Sequence, residues 1–423
     1  MIIQFSVGNY RSFYEKRTIS FLAKGISEHS QIVFKQDKHK VLPSLVIYGA
    51  NSSGKSNVIR ALNQMRYNVL NSVKLNSNDE LEYDPFLLYN TSEEEPTFFE
   101  IVFLSEQEKR YRYGFEYNSN KIINEWLFVG KTIKDEKPYF IRTQEGIGVS
   151  DFFEEGEDKI KSTNDNRLFL SLVAQLGGVT SQQVIDYFSN YNILSGIEHN
   201  DYESFTKRML ANKLDGAEET MHFFQTLNLG FKSINVVEKE FDINELPDQL
   251  PKSMKSKLIK ELTGKFTIDL KTLHNKFDKR GKILGEVIMD KDTQESEGTN
   301  KIIDLSGPIF DTLINGKALI IDELDAKLHP LITMKIVELF NNPKINKNKA
   351  QLLFVTHDTN LLGEEIFRRD QIWFTEKDEY EQTDLYSLYD ITLPDGTKVR
   401  NDANLERNYI KGRYGAIPYF SKI

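Results

Sequence analysis

Eight residues, Gly49-Ala50-Asn51-Ser52-Ser53-Gly54-Lys55-Ser56, match the pattern G-x-x-x-x-G-K-[ST]. The glycines let successive backbone N–H groups turn inward around a phosphate. A helix beginning near Lys55 adds the partial positive charge of its N-terminus. Lys55 has the reach to meet the β- and γ-phosphates, and the Ser56 hydroxyl is a hard oxygen suited to Mg²⁺. Asn51, Ser52, Ser53, Gly54 and Asn57 complete the candidate cradle.

Three further clusters could serve the same chemistry. Asp322-Glu323 ends the apolar run Ala318–Ile321, which places two carboxylates at the carboxyl end of a buried strand, where open α/β sheets bind ligands. There Asp322 would hold Mg²⁺ through water, and Glu323 would polarise an attacking water. Thr356-His357-Asp358 ends another apolar run, Leu352–Val355, and puts an imidazole where it can contact a γ-phosphate. Ser296-Glu297-Gly298-Thr299 precedes a helix expected from about Asn300, a small-residue turn of the kind that cradles anions. The other histidines have no metal-ligand spacing.

The elements that must hold these residues follow from periodicity. The short apolar runs 45–48, 318–321, 352–355 and 371–374 read as buried parallel strands. Helices are expected after them: one carrying Val58, Leu62, Met65, Val69 and Val73, one at 331–340 and one at 359–367. Residues 1–22 read as strand, turn, strand. The alternation in 97–129 predicts an antiparallel meander. Helices are expected at 167–176 and 203–228, and strands with turns over 232–242 and 266–290. The fold class is therefore α/β: a mainly parallel sheet flanked by helices, with an antiparallel β subdomain and a mixed, mostly helical insert. The expected divisions are 1–176, an insert at 177–292, and 293–423. Lys252, Lys255, Lys257, Lys260 and Lys265 in the insert do not form one helix face and have no aromatic stacking platform beside them.

Composition narrows the function classes. The 423 residues include 54 Lys+Arg against 63 Asp+Glu, a formal charge of −9, which opposes bulk wrapping of nucleic acid, although contact through a local basic patch is left open. The absence of cysteine excludes disulfides, thiolate zinc sites and cysteine nucleophiles. No run approaches the ~20 apolar residues of a membrane span, and the start lacks a secretory pattern, so a cytoplasmic protein without membrane partners is expected.

In this order, phosphate loop, Ser-x-Gly, strand-end Asp-Glu followed by Leu-Asp, and His, the motifs resemble the ATP-binding-cassette heads of the RecF, SMC and OLD-type group. Within that group the chain is similar to the small bacterial ATPases of the RloA and AbiLi type, whose kin include AriA of PARIS and PtuA of Septu. The matching stretches are Asn9–Phe13, Tyr48–Asn57, Glu295–Thr299, Ile320–Pro330, Phe354–Asp358, Arg369–Trp373 and Gly412–Pro418. The resemblance implies ATP and Mg²⁺ as cofactors and a homodimer or larger homo-oligomer with ATP between subunits. It implies that Arg11 reaches the phosphates or base, that Ser296 and Gly298 contact the γ-phosphate of the opposite subunit, and that Asp325 lies in the loop crossing the dimer. It further implies a switch in antiviral, abortive-infection defence, controlling a separate nuclease-like effector of TOPRIM or HNH type. Two departures stand out. No Q-loop glutamine is evident: Asp84-Pro85-Phe86 occupies its neighbourhood, and Gln175 falls in a helical pattern. Only 66 residues follow His357, among them Glu376 and Asp378, so no nuclease domain is expected here. A RecF-like DNA ATPase and a non-hydrolysing ATP-bound scaffold are the alternatives.

Overall fold

The four apolar runs lie side by side. The computed structural model describes residues 1–418 except 37, 106, 199, 241–242, 244–245, 247–249, 263–265 and 364–365. It divides into two units, residues 1–197 with 315–326 and 333–423, and residues 198–314 with 327–332.

In the first unit a six-stranded sheet runs in the order Tyr191–Ser195, Ala318–Asp322, Gln351–Val355, Ser44–Gly49, Ile372–Lys377, Thr383–Ser387. The first five strands are parallel and the last is antiparallel. Ser44–Gly49 and Gln351–Val355 are buried along their whole length. Sequences with no polar alternation can only be stable there, covered on both faces. The register aligns Ile321 with Phe354, Val355 with Ile47 and Gly49 with Thr375, so the polar residues ending these strands gather at one edge.

Helix Lys55–Asn71 follows the central strand. It buries Val58, Leu62, Met65 and Val69, the stripe its spacing predicted, while Val73 sits in a following 3-10 turn. The helix expected at 331–340 is present as Pro330–Asn341. The antiparallel meander is present as Thr97–Leu104, Arg110–Tyr117 and Ile122–Gly130. It is the middle of a seven-stranded sheet that also takes in Ile2–Gly8 and Arg17–Ser20 on one side and Lys137–Thr143 and Gly146–Val149 on the other. One apolar core joins this sheet, the Lys55–Asn71 helix and the parallel sheet. Inside it Glu125 is fully buried and accepts from the N–H groups of Phe169 (2.7 Å) and Leu170 (3.0 Å) and from the Tyr113 hydroxyl (3.0 Å). These bonds anchor the start of helix Phe169–Gln175. Burial raises the Glu125 pKa, opposed by Arg142 and the donors.

The second unit carries a three-stranded antiparallel sheet, Ser233–Glu240, Phe266–Phe277 and Ile283–Asp290, with helices Asn200–Ala211, Ala217–Leu227 and Lys252–Leu262. It also holds most of helix Glu297–Asn315. Pro308 inside that helix has no N–H for the Asp304 carbonyl, and the Thr206 hydroxyl donates to that carbonyl instead. The Lys291 ammonium, almost wholly buried, pairs with the Asp304 carboxylate at 2.8 Å.

Several expectations change. The insert was expected at 177–292, but helix Val179–Ser189 and strand Tyr191–Ser195 belong to the first unit, because that strand pairs with Ala318–Asp322; residues through 314 belong to the second. The helical stretch 203–228 is two helices, broken at Gly216 in the left-handed region (φ 92°). Of the helix expected over 359–367, Asn360–Gly363 is helical, residues 366 and 367 are not, and 364–365 lie outside the described residues. Beyond it the chain is held by Arg368, whose buried guanidinium binds Asp370 and the carbonyls of Lys24, Ile26 and Glu28. Those bonds replace a helical path. Of the lysines named in the insert, Lys265 lies outside the described residues.

Candidate functional site

The phosphate loop leaves the central strand at Gly49 and enters its helix at Lys55. Gly54 holds φ 103°, and a Cβ there would lie 2.2 Å from the Thr383 hydroxyl, so glycine is required on both counts. Asn51 and Ser52 are exposed at the loop tip, Ser52 at φ 63°. Ser53 is buried; its hydroxyl bonds that of Thr375 at 2.6 Å, and its carbonyl accepts from the Thr383 hydroxyl at 2.9 Å. The two neighbouring strands thus hold the loop open. The Lys55 ammonium donates to the carbonyls of Gly49 and Ala50, both at 2.8 Å. Burial lowers its pKa to about 8, against the pull of Asp322, Glu323 and Asp325.

The second half of the site comes from the next strands. The Ser56 hydroxyl donates to Asp322 at 3.0 Å, joining residues 266 positions apart. Glu323 follows in the left-handed region, φ 57°, which an ordinary residue adopts only when its surroundings enforce it. Gly196 is one such constraint. Its N–H donates to the Asp322 carbonyl at 2.6 Å, and a Cβ on it would lie 1.9 Å from the Glu323 carbonyl oxygen. Asp325 accepts from the His357 N–H at 3.3 Å, which ties the Asp-Glu turn to the next strand's end. His357 has its pKa lowered, first by burial and then by Lys55, which favours the neutral imidazole.

Arg11 is also at φ 50°, and its Nε pairs with Asp84 at 2.7 Å. The Asp84-Pro85-Phe86 segment therefore packs on the Asn9–Phe13 turn, with the Arg11 N–H on the Asp84 carbonyl (2.8 Å) and the Phe86 N–H on Asn9 (3.1 Å). Gln175 is exposed on its helix. A cavity of about 400 Å³ opens beside these residues, lined by Arg11, Ser12, Asn57, Arg60, Asp84 and Leu87 among others. Asn57 donates to the Ser12 hydroxyl at 2.7 Å, so the cavity adjoins the first turn of the phosphate-loop helix.

Ser296 and Gly298 belong to the second unit. The Ser296 hydroxyl accepts from the Thr299 N–H at 3.1 Å, so the helix begins at Glu297, earlier than the expected Asn300. Gly298 faces the Lys327 carbonyl, 2.7 Å from where a Cβ would be. Glu376 accepts from the Tyr386 hydroxyl at 3.0 Å, and Asp378 caps its own turn through the N–H groups of Tyr380 (2.9 Å) and Gln382 (3.0 Å). Sequence reasoning missed Thr375, Thr383 and Gly196. The two threonines lie in strands whose polar residues carry no motif, and Gly196 has no local pattern around it; only pairing with the Asp322 strand gives it meaning.

The oxygens of Ser56 and Asp322 fit Mg²⁺, a hard cation that takes one or two protein oxygens and completes its shell with phosphates and water. No group of three or more His, Asp or Glu among the described residues forms an all-protein metal cage, and such a site needs none. No helix among the described residues is long and apolar enough to cross a membrane.

Comparison with known proteins bears on the whole arrangement. Residues 44–363 match the family model AAA_21, described as AAA domain, putative AbiEii toxin, Type IV TA system. No curated protein matches the chain. Among solved structures, the SMC head domain from Thermotoga maritima is similar over 91% of this chain and 98% of its own, with 12% identity and a TM-score of 0.41. An SMC head bound to the C-winged helix domain of ScpA is similar over 91% and 97%, with 12% identity and a TM-score of 0.42. The recombination mediator RecF with ATP, from the RecFOR pathway, is similar over 84% and 93%, with 13% identity and a TM-score of 0.30.

Proposed function

The chain belongs to the AAA-domain family described as putative AbiEii toxins of type IV toxin–antitoxin systems, and from that membership and the site geometry we propose that it is an ATP-hydrolysing switch. The observation that carries this reading is the Ser56–Asp322 hydrogen bond, which joins the phosphate loop to the strand-end carboxylates in a single site. The loop's N–H groups and the N-terminus of helix Lys55–Asn71 receive the phosphates. Lys55 exchanges its two carbonyls for phosphate oxygens. Glu323, held by its backbone at the strand end, orients water for in-line attack. Asp325 keeps the His357 backbone in place, so the neutral imidazole can sense the γ-phosphate. Mg²⁺, when held by Ser56 and Asp322, supplies neutralisation of phosphate charge. The cavity beside Arg11 and Asn57 is where the base and ribose fit, with Asp84 as an acceptor and Leu87 as an apolar wall.

In this reading two subunits close on ATP, with Ser296 and Gly298 presented to the partner's nucleotide. Closure and hydrolysis then hold or release an effector in cellular defence. The family's toxin–antitoxin description supports that setting.

The test is Glu323→Gln in the full chain. Turnover should fall by about 10²-fold or more, because the amide cannot take a proton from water, while ATP stays bound and the protein accumulates as a closed dimer or larger assembly. Unchanged turnover would remove Glu323 from the mechanism. A RecF- or SMC-like DNA ATPase would share this head. ATP-dependent, salt-sensitive DNA binding by the same variant would favour that role instead.

A further inference from the structure

The turn carrying Ser296 and Gly298 is held by a side-chain cluster that the motifs do not include, and every member of it belongs to the second unit. Leu270, Thr272 and His274 alternate along strand Phe266–Phe277, so they share one face of the three-stranded sheet. Leu270 and Thr272 are buried there. His274 is a polar member of that face. Its ring lies edge-on to that of Phe231, with 6.3 Å between centroids. Both polar residues reach Glu295. The Thr272 hydroxyl donates to one Glu295 oxygen at 2.5 Å, and His274 Nε2 meets the same oxygen at 2.8 Å. A carboxylate only accepts, so this Nε2 carries a proton. The Glu295 side chain is 9% exposed, and these bonds are what satisfy it.

The segment leading to Glu295 is fastened to the same strand. Lys271 pairs with Asp290. Asp290 in turn caps the short helix Lys291–Gln294, accepting from the Thr293 N–H at 3.0 Å and the Thr293 hydroxyl at 2.9 Å. Ser296 follows Glu295 directly and is exposed. On its far side it is tied to helix Glu297–Asn315: its hydroxyl accepts from the Thr299 N–H and its carbonyl from the Asn300 N–H at 2.9 Å. On its near side the Glu295 side chain is the anchor. An exposed serine one residue beyond a nearly buried, doubly bonded carboxylate has its position set by that carboxylate.

We propose that His274 and Thr272 are positioning residues for ATP hydrolysis, acting through Glu295 to fix the turn that offers Ser296 and Gly298 to the nucleotide of the opposite subunit. The inference deepens the ATPase reading and rests on it. It makes the middle strand of the insert sheet a support of the neighbouring subunit's site, so that displacing this strand changes turnover there.

The test uses the full chain with Mg²⁺-ATP. His274→Phe keeps a ring beside Phe231 and removes the donor. Its kcat should fall by about tenfold with KM for ATP changed by less than about threefold, because the misplaced turn acts on a nucleotide already held by the other subunit's phosphate loop. His274→Gln, whose amide nitrogen donates at about the same reach, should recover kcat to within about threefold of the wild type. Thr272→Val removes the second donor with little change of shape and should lower kcat in the same way, which keeps the test open should His274→Phe not fold by circular dichroism. Mixing His274→Phe with Glu323→Gln in equal amounts reads action across the interface. About one interface in four then joins an intact Glu323 site to an intact Ser296 turn, so turnover should return to about a quarter of the wild type, above the average of the two variants alone. Wild-type kcat in both His274→Phe and Thr272→Val, beside a Glu323→Gln variant that has lost turnover, overturns the inference and leaves the ATPase reading standing. So does a mixture no more active than the average of its parts, or a loss that His274→Gln does not recover. Unchanged turnover in Glu323→Gln removes the ATPase mechanism itself, and this inference with it.

Discussion

Lys55 should make ATP binding depend on pH in a way that its motif alone does not predict. In the free protein its pKa is about 8, lowered by burial. Phosphates favour the ammonium, so binding raises that pKa and takes up a proton. The sign follows: with a base depressed in the free state and restored in the bound state, affinity is greatest below pH 8 and is lost as pH rises through it. At pH 8 about half of the free molecules carry a neutral Lys55, so binding should take up about 0.5 proton. Between pH 7 and pH 9 the dissociation constant should rise about tenfold, since the neutral fraction grows from about a tenth to about nine tenths. Titration calorimetry with Mg²⁺-ATP in buffers of different ionisation enthalpy reads the uptake directly, and a fluorescent nucleotide reads the affinity. Lys55→Met should bind more weakly at every pH, with a flat profile. An enthalpy independent of buffer at pH 8, or a wild-type profile as flat as that of Lys55→Met, would show that Lys55 is not the buried, titrating group described above.

Other substitutions separate support of the site from its chemistry. Gly54→Ala must be placed at φ 103° and against Thr383, so it should lose about 1–3 kcal/mol of stability as well as nucleotide binding, seen in thermal unfolding and a binding titration. Gly196→Ala puts a methyl group against the Glu323 carbonyl; kcat should fall by about tenfold or more with KM changed by less than about threefold, and an unchanged kcat would refute the positioning role. Arg368→Met leaves the buried Asp370 carboxylate without its guanidinium and should cost about 3–5 kcal/mol in denaturant unfolding; a loss below about 1 kcal/mol would show that the pair is not what holds the approach to strand Ile372–Lys377.

The parts legible in the sequence were those whose cause is local. A fully apolar run such as Leu45–Tyr48 has one stable place, inside a covered sheet, and Val58, Leu62, Met65 and Val69 declare a helix face by spacing alone. The phosphate loop is a local object for the same reason, since its glycines and Lys55 act within eight residues. Features that depend on distant partners were not legible. Tyr191–Ser195 is too polar and too short to announce itself as a strand until the Ala318–Asp322 edge is there to receive it, so the insert boundary fell too early. The helix expected over 359–367 leaves out residues 366 and 367: Arg368 beside them is bound to carbonyls some 340 positions away, and that network decides the path around it. The sequence puts the start of the Ser296 helix near Asn300, three residues late, because the serine's capping bond to the Thr299 N–H is not legible from residue types alone.

The supports of the phosphate loop also show that the residues after His357 are built into that loop's surroundings rather than forming an appendage. Thr375 and Thr383 come from two successive strands, and both bond Ser53. Thr383 also bonds the Ser12 hydroxyl at 2.8 Å, and Asn57 reaches the same hydroxyl at 2.7 Å. Four segments distant in sequence thus converge on one small polar knot: the early Arg11 turn, the phosphate loop, the start of its helix and the late strand pair. Behind that knot Tyr409 packs between Tyr48 and Phe374, and the Tyr386 hydroxyl lies within hydrogen-bond distance of both Glu376 (3.0 Å) and the Tyr414 carbonyl (2.9 Å), with its one proton shared between them. A buried polar knot is costly unless every member keeps its partner, so displacement at the C-terminal turn is transmitted to the loop as a lost hydrogen bond. The Gly412–Pro418 stretch, whose Tyr414 carbonyl and Gly415 meet Tyr386 and Glu376, is thereby tied to the strands that support the phosphate loop.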